Sequence, residues 1–210
     1  METRQPDDLL SLTVREFIAA TAAKTPTPGG GSVAGAVGAL AVALAEMALG
    51  FTRGKKKFAA HEALYQHVAG RLQRAREMFQ QLVAEDVTAF RYYQEASRME
   101  DGPAKATAMQ VATAAAVNVP REAAKLTLAV MGDLLDLADK CNPYLVSDLV
   151  AGAALAEAVC RLCDYNVRIN LAHVDDPAAA ADIRKGSADD VKRSAELRQA
   201  IEAAAKEQLP

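Results

Sequence analysis

Apolar residues recur at helical spacing along most of this 210-residue chain, and the strict alternation typical of β-strands is almost absent. The longest such segment runs without proline from about Ala59 to Ser97. Its apolar residues Leu64, Val68 and Leu72 keep to one helical face. At ~1.5 Å per residue this segment predicts a helix more than ~50 Å long, or one that a kink divides.

Capping residues and prolines predict where the other helices begin and end. Thr13 and Glu16 form a capping box that opens a first helix, which ends before Pro26. Ser32 is expected to cap a strongly apolar helix, and Ser147 one that runs to about Leu171. Pro103 opens a helix that breaks or kinks at Asn118-Val119-Pro120 and continues to about Lys140. Cys141-Asn142-Pro143 forms a turn. Asp176-Pro177 caps a last helix, which ends near Gln208.

These elements predict an all-α fold, a multi-helix up-and-down bundle of six or so long antiparallel helices in which residues 1–210 form a single domain. Composition agrees, because the chain is 51% hydrophobic but only 5% aromatic and contains no Trp. Its apolar residues are mostly Ala, Val and Leu, which favour closely packed helices over a β-sandwich.

Charge and the apolar segments narrow the possible partners. A net charge of −3 gives no basic surface for nucleic acid. The apolar run Val33–Leu49 carries Glu46 and is shorter than the ~20 residues of a membrane span, so we expect a buried central helix and no membrane. The first residues lack the order of a signal peptide, and three cysteines are an odd number, so the expected location is the cytoplasm.

The sequence offers no metal site. Cys160 and Cys163 have the spacing of half a metal site but no second pair, so buried core thiols are the better interpretation. His61, His67 and His173 form no pattern of metal ligands.

Asp86 is a carboxylate within the apolar stripe of the longest predicted helix. It lies seven residues after Phe79 and four before Phe90. A carboxylate in such a stripe must be paired, hydrogen-bonded or protonated, because its desolvation alone is costly. Asp86 is therefore either half of a structural ion pair or an acid or base with a tuned pKa.

Polar residues also interrupt the apolar segment that follows Pro143. Ser147 and Asp148 open its predicted helix, and Asn166 and Asn170 lie one turn apart near the helix end. Two amides one turn apart either point at one ligand or bridge two helices.

Three glycines, Gly29, Gly30 and Gly31, precede Ser32 in the segment KTPTPGGGS. At a helix N-terminus, glycines leave backbone N–H groups accessible and let a ligand approach the main chain. The segment is not a phosphate-binding Walker loop, since no Gly-Lys-Ser/Thr follows, and no strand precedes it as in a dinucleotide fold. The further small residues up to Ala39 also suit close helix packing, and both uses are compatible.

Five blocks in fixed order resemble the cyclodeaminase/cyclohydrolase family of folate enzymes. They are TPTPGGGSVAGAVGAL, RGKKKF, AEDVTAF, NPYLVSDLVA and YNVRINL, and they span residues 25–171. Each block alone is weak, but the ordered set is specific.

The resemblance implies an all-helical homodimer or higher homo-oligomer that holds folate in a cleft near the subunit interface. It implies an enzyme acting on a tetrahydrofolate derivative with one or several glutamates, without a metal or other cofactor. One activity is that of a cyclodeaminase, an ammonia lyase that closes 5-formiminotetrahydrofolate to 5,10-methenyltetrahydrofolate. The alternative is a cyclohydrolase, which opens the methenyl ring to 10-formyltetrahydrofolate.

The blocks containing SDL and NVRINL, with an acidic turn after them, look more like the cyclodeaminase. A helical protein that binds folate or a partner without catalysis is a second alternative. The substitution Asp86→Asn distinguishes the two, because in an enzyme it should keep the fold and ligand binding but abolish turnover.

The resemblance also implies roles for individual residues. Asp86 matches the catalytic aspartate of the family. The glycine loop would bind folate through its N–H groups, and the basic triplet would meet the glutamate tail, although such a triplet is otherwise typical of a solvated loop. The implied substrate-binding residues are Gly29, Gly30, Gly31, Ser32, Lys55, Lys56, Lys57, Asn142, Ser147, Asp148, Asn166 and Asn170.

Overall fold

The computed structural model describes residues 8–207, and within them all regular structure is helical. Short 3-10 turns connect several of the helices, and no β-strand occurs in this part of the chain. The all-α prediction is thus confirmed. The helices are α1 (Val14–Ala22), α2 (Gly30–Gly50), α3 (Glu62–Ser97), α4 (Pro103–Leu137), α5 (Val146–Asn170) and α6 (Pro177–Ala205).

The five long helices run up and down. Near its start, α2 meets α3 where Gly31 lies beside Asp86, and further along it does so where Gly38 lies beside Phe79, so the two helices are antiparallel. Contacts between the later pairs give the same alternation, and they include Arg71 with Asp133, Ala116 with Asn170, Ala124 with Cys160, Asp164 with Ser187 and Glu157 with Arg198. Antiparallel order places the start of α2 and the end of α5 at the same end of the bundle.

Small residues let α2 pack closely on α3. A Cβ atom added to Gly35 would lie 2.7 Å from the Val83 side chain, and one added to Gly38 would lie 2.5 Å from the Phe79 ring. Both distances are too short for a real side chain, so these glycines are required by packing. The role in helix packing predicted for the small residues after Ser32 is confirmed.

Helix α2 has one covered face and one open face. Residues such as Val42 and Ala45 are buried against the neighbouring helices, whereas Leu40, Met47 and Phe51 are exposed. By length and composition alone α2 could cross a membrane, with a mean hydropathy of 1.9 in its most apolar window, 44% of which is buried. The expectation of a buried central helix therefore holds for one face of α2.

Several predicted boundaries are confirmed. Thr13 and Glu16 form the reciprocal capping box of α1, and Asp176 caps α6 by accepting hydrogen bonds from two backbone N–H groups. Helix α3 is continuous over 36 residues, although it begins at Glu62 because a 3-10 turn precedes it. Helix α6 ends at Ala205, and the predicted end near Gln208 lies outside the described residues.

Both serine caps were predicted wrongly. Helix α2 begins at Gly30, two residues before Ser32, and the Ser32 hydroxyl donates to Asp86 of α3. Helix α5 begins at Val146, because a 3-10 turn over Pro143–Leu145 leads directly into it, so Ser147 lies inside the first turn.

Of the break or kink predicted at Asn118-Val119-Pro120, the break does not occur, because α4 continues through Pro120. A proline within a helix leaves the carbonyl four residues earlier without its N–H donor. That carbonyl belongs to Ala116, and the Asn170 side chain of α5 donates to it at 3.2 Å. A neighbouring helix thus supplies the hydrogen bond that Pro120 cannot.

Candidate active site

A cavity of about 330 Å³ lies at the end of the bundle where α2 begins and α5 ends. The loop before α2, the second half of α3, the middle of α4 and the last turns of α5 contribute to its wall. Among the residues with a predicted site role, those that line it are Gly29, Gly30, Gly31, Asp86, Asn166 and Asn170.

Asp86 is the carboxyl group of this cavity. The Ser32 hydroxyl donates to Asp86 Oδ2 at 2.7 Å. Among residues 8–207, no lysine or arginine forms an ion pair with this carboxyl. The structural ion pair considered for Asp86 is therefore not found within the described chain.

Burial and hydrogen bonding act on Asp86 in opposite directions. Burial raises the pKa of the Asp86 carboxyl above its ordinary value, and this effect is the larger. Hydrogen bonds from the side chain and backbone of Ser32 favour the ionised form and reduce the rise. With no cation beside it, Asp86 can take up and release a proton more readily than an exposed carboxylate at neutral pH.

Gly31 makes room for the Asp86 carboxyl. A Cβ atom at position 31 would lie 2.0 Å from Asp86 Oδ1, which no side chain can do. A Cβ atom on Gly30 would approach Asn166 Nδ2 to 3.3 Å. The absence of side chains at these positions therefore brings α3 and α5 against the start of α2.

The N-terminus of α2 supplies a second kind of chemistry. Gly29 occupies the N-cap position without a side-chain hydrogen bond to the helix. The N–H groups of a first turn have no partner within their helix, and the helix dipole places partial positive charge there. The cavity therefore combines a proton-carrying carboxyl group with backbone donors suited to carbonyl or anionic groups.

The two asparagines connect the cavity wall. Asn166 Nδ2 donates to Leu162 O at 2.8 Å, and Asn170 Nδ2 donates to Asn166 O at 2.8 Å as well as to Ala116 O. Asn170 thus bridges α5 and α4, which is one of the two uses open from the sequence. Both side chains also line the cavity, so a contact with a ligand stays compatible with this role.

The other predicted site residues lie at the opposite end of the bundle. Lys55, Lys56 and Lys57 follow α2, whose 21 residues span about 30 Å, and Ser147 and Asp148 lie in the first turn of α5. The structure therefore does not bring them to the Asp86 cavity within one chain. Their part in substrate binding stays a prediction.

Asn142 also lies at that opposite end and holds a turn in place. Its backbone N–H donates to the Thr52 hydroxyl at 2.8 Å, and its side chain donates to Phe51 O and accepts from the Tyr144 N–H. These bonds join the α4–α5 connection to the end of α2.

Phe90, Tyr93 and His173 also line the cavity, although no pattern in the sequence indicated a site role for them. The Tyr93 and His173 rings lie 5.7 Å apart between centroids. Phe90 and Tyr93 follow Asp86 by four and seven residues, so helical spacing alone places them on the same face of α3. His173 lies beyond α5, and no local pattern links it to Asp86.

The cysteines belong to the core. Cys141, Cys160 and Cys163 are all buried, as was expected for the latter two, and burial raises the thiol pKa of Cys160 to about 11. Within residues 8–207, no group of three His, Cys, Asp or Glu side chains is arranged to hold a metal ion.

Comparisons with known proteins give a consistent family. The sequence model of the formiminotransferase-cyclodeaminase family matches residues 13–189. A methenyltetrahydrofolate cyclohydrolase of Methylorubrum extorquens is 32% identical over 174 residues, which cover 80% of this chain and 83% of that protein.

Longer proteins are also similar. A formimidoyltransferase-cyclodeaminase of Dictyostelium discoideum is 29% identical over 96% of this chain, and the chain spans 37% of that relative's length.

The crystal structure of a formiminotetrahydrofolate cyclodeaminase from Thermotoga maritima superposes with a TM-score of 0.83 at 28% identity, covering 95% of this chain and 98% of that one. The names of these relatives thus describe two different activities within one family.

Proposed function

Since this chain belongs to the formiminotransferase-cyclodeaminase family of folate enzymes, we propose that it closes 5-formiminotetrahydrofolate to 5,10-methenyltetrahydrofolate and releases ammonia. The observation that carries the proposal is Asp86, a carboxyl group with a raised pKa and no cationic partner among residues 8–207, in a cavity at the start of α2. The Thermotoga maritima protein with the same fold is described as a cyclodeaminase.

The chemistry requires a group that moves one proton between two nitrogens. N10 attacks the carbon of the protonated formimino group, and a tetrahedral carbon forms between N5 and N10. The Asp86 carboxylate takes the proton from N10 and passes it to the former imino nitrogen. The bond from the carbon to that nitrogen then breaks, ammonia leaves, and Asp86 is again ionised.

Two properties of Asp86 suit these steps. A raised pKa makes the protonated form of Asp86 easier to reach than that of an exposed carboxylate. The regenerated carboxylate lies beside the methenyl cation and stabilises its charge. Since the one-carbon unit keeps its oxidation state, the proposal requires no redox cofactor.

A cyclohydrolase is the second candidate. The Methylorubrum extorquens protein with that name matches this chain over most of both lengths, as a formimidoyltransferase-cyclodeaminase does not. In this reaction water adds to the methenyl carbon, and Asp86 would accept a proton from the water and deliver it to N5. The bond between that carbon and N5 then breaks, and the remaining hydroxyl proton is released to solvent, which yields 10-formyltetrahydrofolate. The same carboxyl group therefore serves either reaction.

We also propose that the protein is a homodimer. The open face of α2 carries the exposed side chains Leu40, Met47 and Phe51, and its Glu46 is paired with Arg76 of the same chain at 2.6 Å. An apolar face without unpaired charge suits a second copy. Light scattering should give twice the chain mass, and Leu40→Glu should give the monomer; a monomeric wild-type protein would contradict the proposal.

A near-ultraviolet absorbance assay distinguishes the activities. Purified protein is mixed with 5-formiminotetrahydrofolate in one cuvette and 5,10-methenyltetrahydrofolate in another, with protein-free cuvettes to correct for spontaneous reactions. Methenyl absorbance that rises in the first cuvette together with free ammonia supports the cyclodeaminase. Absorbance that decays in the second cuvette, without activity in the first, supports the cyclohydrolase. No change in either cuvette supports a protein that binds folate without catalysis.

A further inference from the structure

A second cavity lies beside the Asp86 cavity, between the last turns of α5 and the first half of α6. Its volume is about 660 Å³, and the residues that line it include Tyr165, Arg168, Ile169 and Arg184. None of these has a role in the proposed proton transfer, and none lies in the glycine loop.

The two cavities meet at Ile169, which lines both. Along α5, Asn166 and Asn170 line the Asp86 cavity, whereas Tyr165 and Arg168 line the second one. Residues one position apart on a helix are turned by about 100°, so the last turns of α5 form a ridge between the cavities. A ligand that crosses Ile169 passes from one cavity to the other.

The second cavity carries positive charge. Arg184 is exposed, and its side chain forms no ion pair or hydrogen bond with any residue from 8 to 207. Arg168 lies 3.6 Å from Asp164, whose other carboxylate oxygen accepts from the Ser187 hydroxyl at 2.8 Å. Of the two guanidinium groups that line this cavity, only that of Arg168 has a carboxylate partner, which leaves donors for a further anionic group.

The walls between the charges are apolar. Ile169 is 69% exposed and Tyr165 is 63% exposed, which is high for side chains of this size. Such a surface is suited to an aromatic ring, with the arginines beyond it. The Asp86 cavity, at about 330 Å³, lies at the lower end of the range for small-ligand sites.

We propose that the cavity between α5 and α6 binds the p-aminobenzoyl-glutamate end of the folate substrate. The reacting nitrogens lie at Asp86, the p-aminobenzoyl ring crosses Ile169 beside Tyr165, and the glutamate carboxylates bind Arg168 and Arg184. This proposal rests on the proposed function and assigns the tail to arginines on the same end of the bundle, not to Lys55–Lys57 at the other end.

The test measures KM and kcat with a substrate that carries three glutamates. In the double variant Arg168→Gln/Arg184→Gln, KM for triglutamylated 5-formiminotetrahydrofolate should rise about fivefold, the size expected of two exposed ion pairs. The kcat should stay unchanged, because neither arginine contacts the reacting atoms. Added salt should raise the wild-type KM more than that of the variant.

Two control variants keep the test specific. Lys192→Gln/Arg193→Gln removes the same charge from exposed positions further along α6 and should leave KM unchanged. A triple change of Lys55, Lys56 and Lys57 to Gln compares the two possible sites for the glutamate tail, because a KM that rises in this variant instead would assign the tail to the lysines. An unchanged KM in the Arg168/Arg184 variant, or an equal rise in either control, would overturn the proposal.

Failure of the proposed function is recognised separately. If wild-type protein converts neither folate, the proposed function is wrong. The affinity of the cavity is then measured by calorimetric titration with triglutamylated 5-formyltetrahydrofolate. Weaker binding by the Arg168/Arg184 variant than by wild type would support the site. Equal affinities would refute it.

Discussion

Two aspartates of this bundle lie between helices and have different partners. Burial raises the pKa of both Asp86 on α3 and Asp133 on α4. Asp133 accepts from Arg71 Nε at 2.8 and 3.0 Å, which opposes the effect of burial. Asp86 accepts from the neutral Ser32 hydroxyl and has no cationic partner within residues 8–207.

The difference separates a structural carboxylate from a candidate catalytic one. Other buried acids follow Asp133, since Glu157 pairs with Arg161 and Arg198, and Asp190 pairs with Lys125. A cation favours the ionised form of a carboxyl group more strongly than a neutral hydroxyl group does. Asp86 also borders a cavity that a substrate can enter.

Asp86→Asn should have the largest effect on activity. The amide keeps the shape of the carboxyl group but cannot carry a proton, so kcat should fall by ~10²–10⁴-fold. The fold should persist, because the Asn carbonyl oxygen can still accept from Ser32. Circular dichroism and steady-state kinetics measure the two results; near-normal turnover would show that Asp86 is not the proton carrier.

Asp133→Asn should lower stability and leave activity unchanged, the reverse of Asp86→Asn. It weakens two charge-assisted bonds to Arg71 and should lower the free energy of unfolding by ~1–3 kcal/mol. The kcat of the folded variant should equal that of wild type. Urea unfolding monitored with activity tests this, and a large loss of kcat without loss of stability would remove the contrast between the two aspartates.

Gly31→Ala extends the contrast to the neighbouring backbone. The new Cβ atom would overlap Asp86 Oδ1, so the carboxyl group must move, and we expect ~1–3 kcal/mol of destabilisation with a clear loss of kcat. Gly132→Ala, directly before Asp133, is the matched control because its Cβ atom meets nothing within 4 Å. It should be neutral or stabilising, and equal losses in both variants would argue against a specific role for Gly31.

Local sequence rules predicted much of the fold and part of the site. Periodicity placed Asp86 on the covered face of α3, and small residues indicated the close packing of α2. Local rules were wrong where a distant residue decides the outcome. Ser32 has the preferences of a cap but bonds to another helix, and Pro120 stays helical because Asn170 serves the open carbonyl.

The arrangement of the site required the three-dimensional structure. The matched blocks follow one another in order along the sequence, but they do not all meet at one site, because Ser147 and Asn166 lie near opposite ends of α5, about 28 Å apart. His173 and Arg184 reach the two cavities from segments without a recognisable motif. Spacing along one helix is predictable, whereas the end of the bundle at which a residue lies depends on the whole topology.

Stability at different pH values gives a smaller but independent comparison. The Asp86 pKa is higher in the folded chain than in the unfolded one, so the folded state binds more protons and stability falls as pH rises through the folded pKa. Asp86→Asn removes this dependence. Its Tm relative to wild type should therefore increase as pH rises from about 4 through the raised pKa and then stay constant; a relative Tm that falls with pH would mean that the carboxylate is stabilised.

Ser32→Ala should have the smallest effect and tests how Asp86 is tuned. Loss of the hydroxyl removes a bond that favours the ionised carboxyl, so the Asp86 pKa should rise further. The limb of the kcat/KM profile that reports Asp86 should move to higher pH, with ~0.5–1.5 kcal/mol of lost stability. Ser194→Ala is the control, since that buried hydroxyl donates to the Val191 carbonyl and interacts with the Cys160 thiol, not with Asp86, and its loss should leave the profile in place. A shift to lower pH in Ser32→Ala would mean that the hydroxyl favours the neutral acid. The partners of Asp86 and Asp133 would then shift the carboxyl pKa in opposite directions, and the two aspartates would differ in more than the charge of the partner.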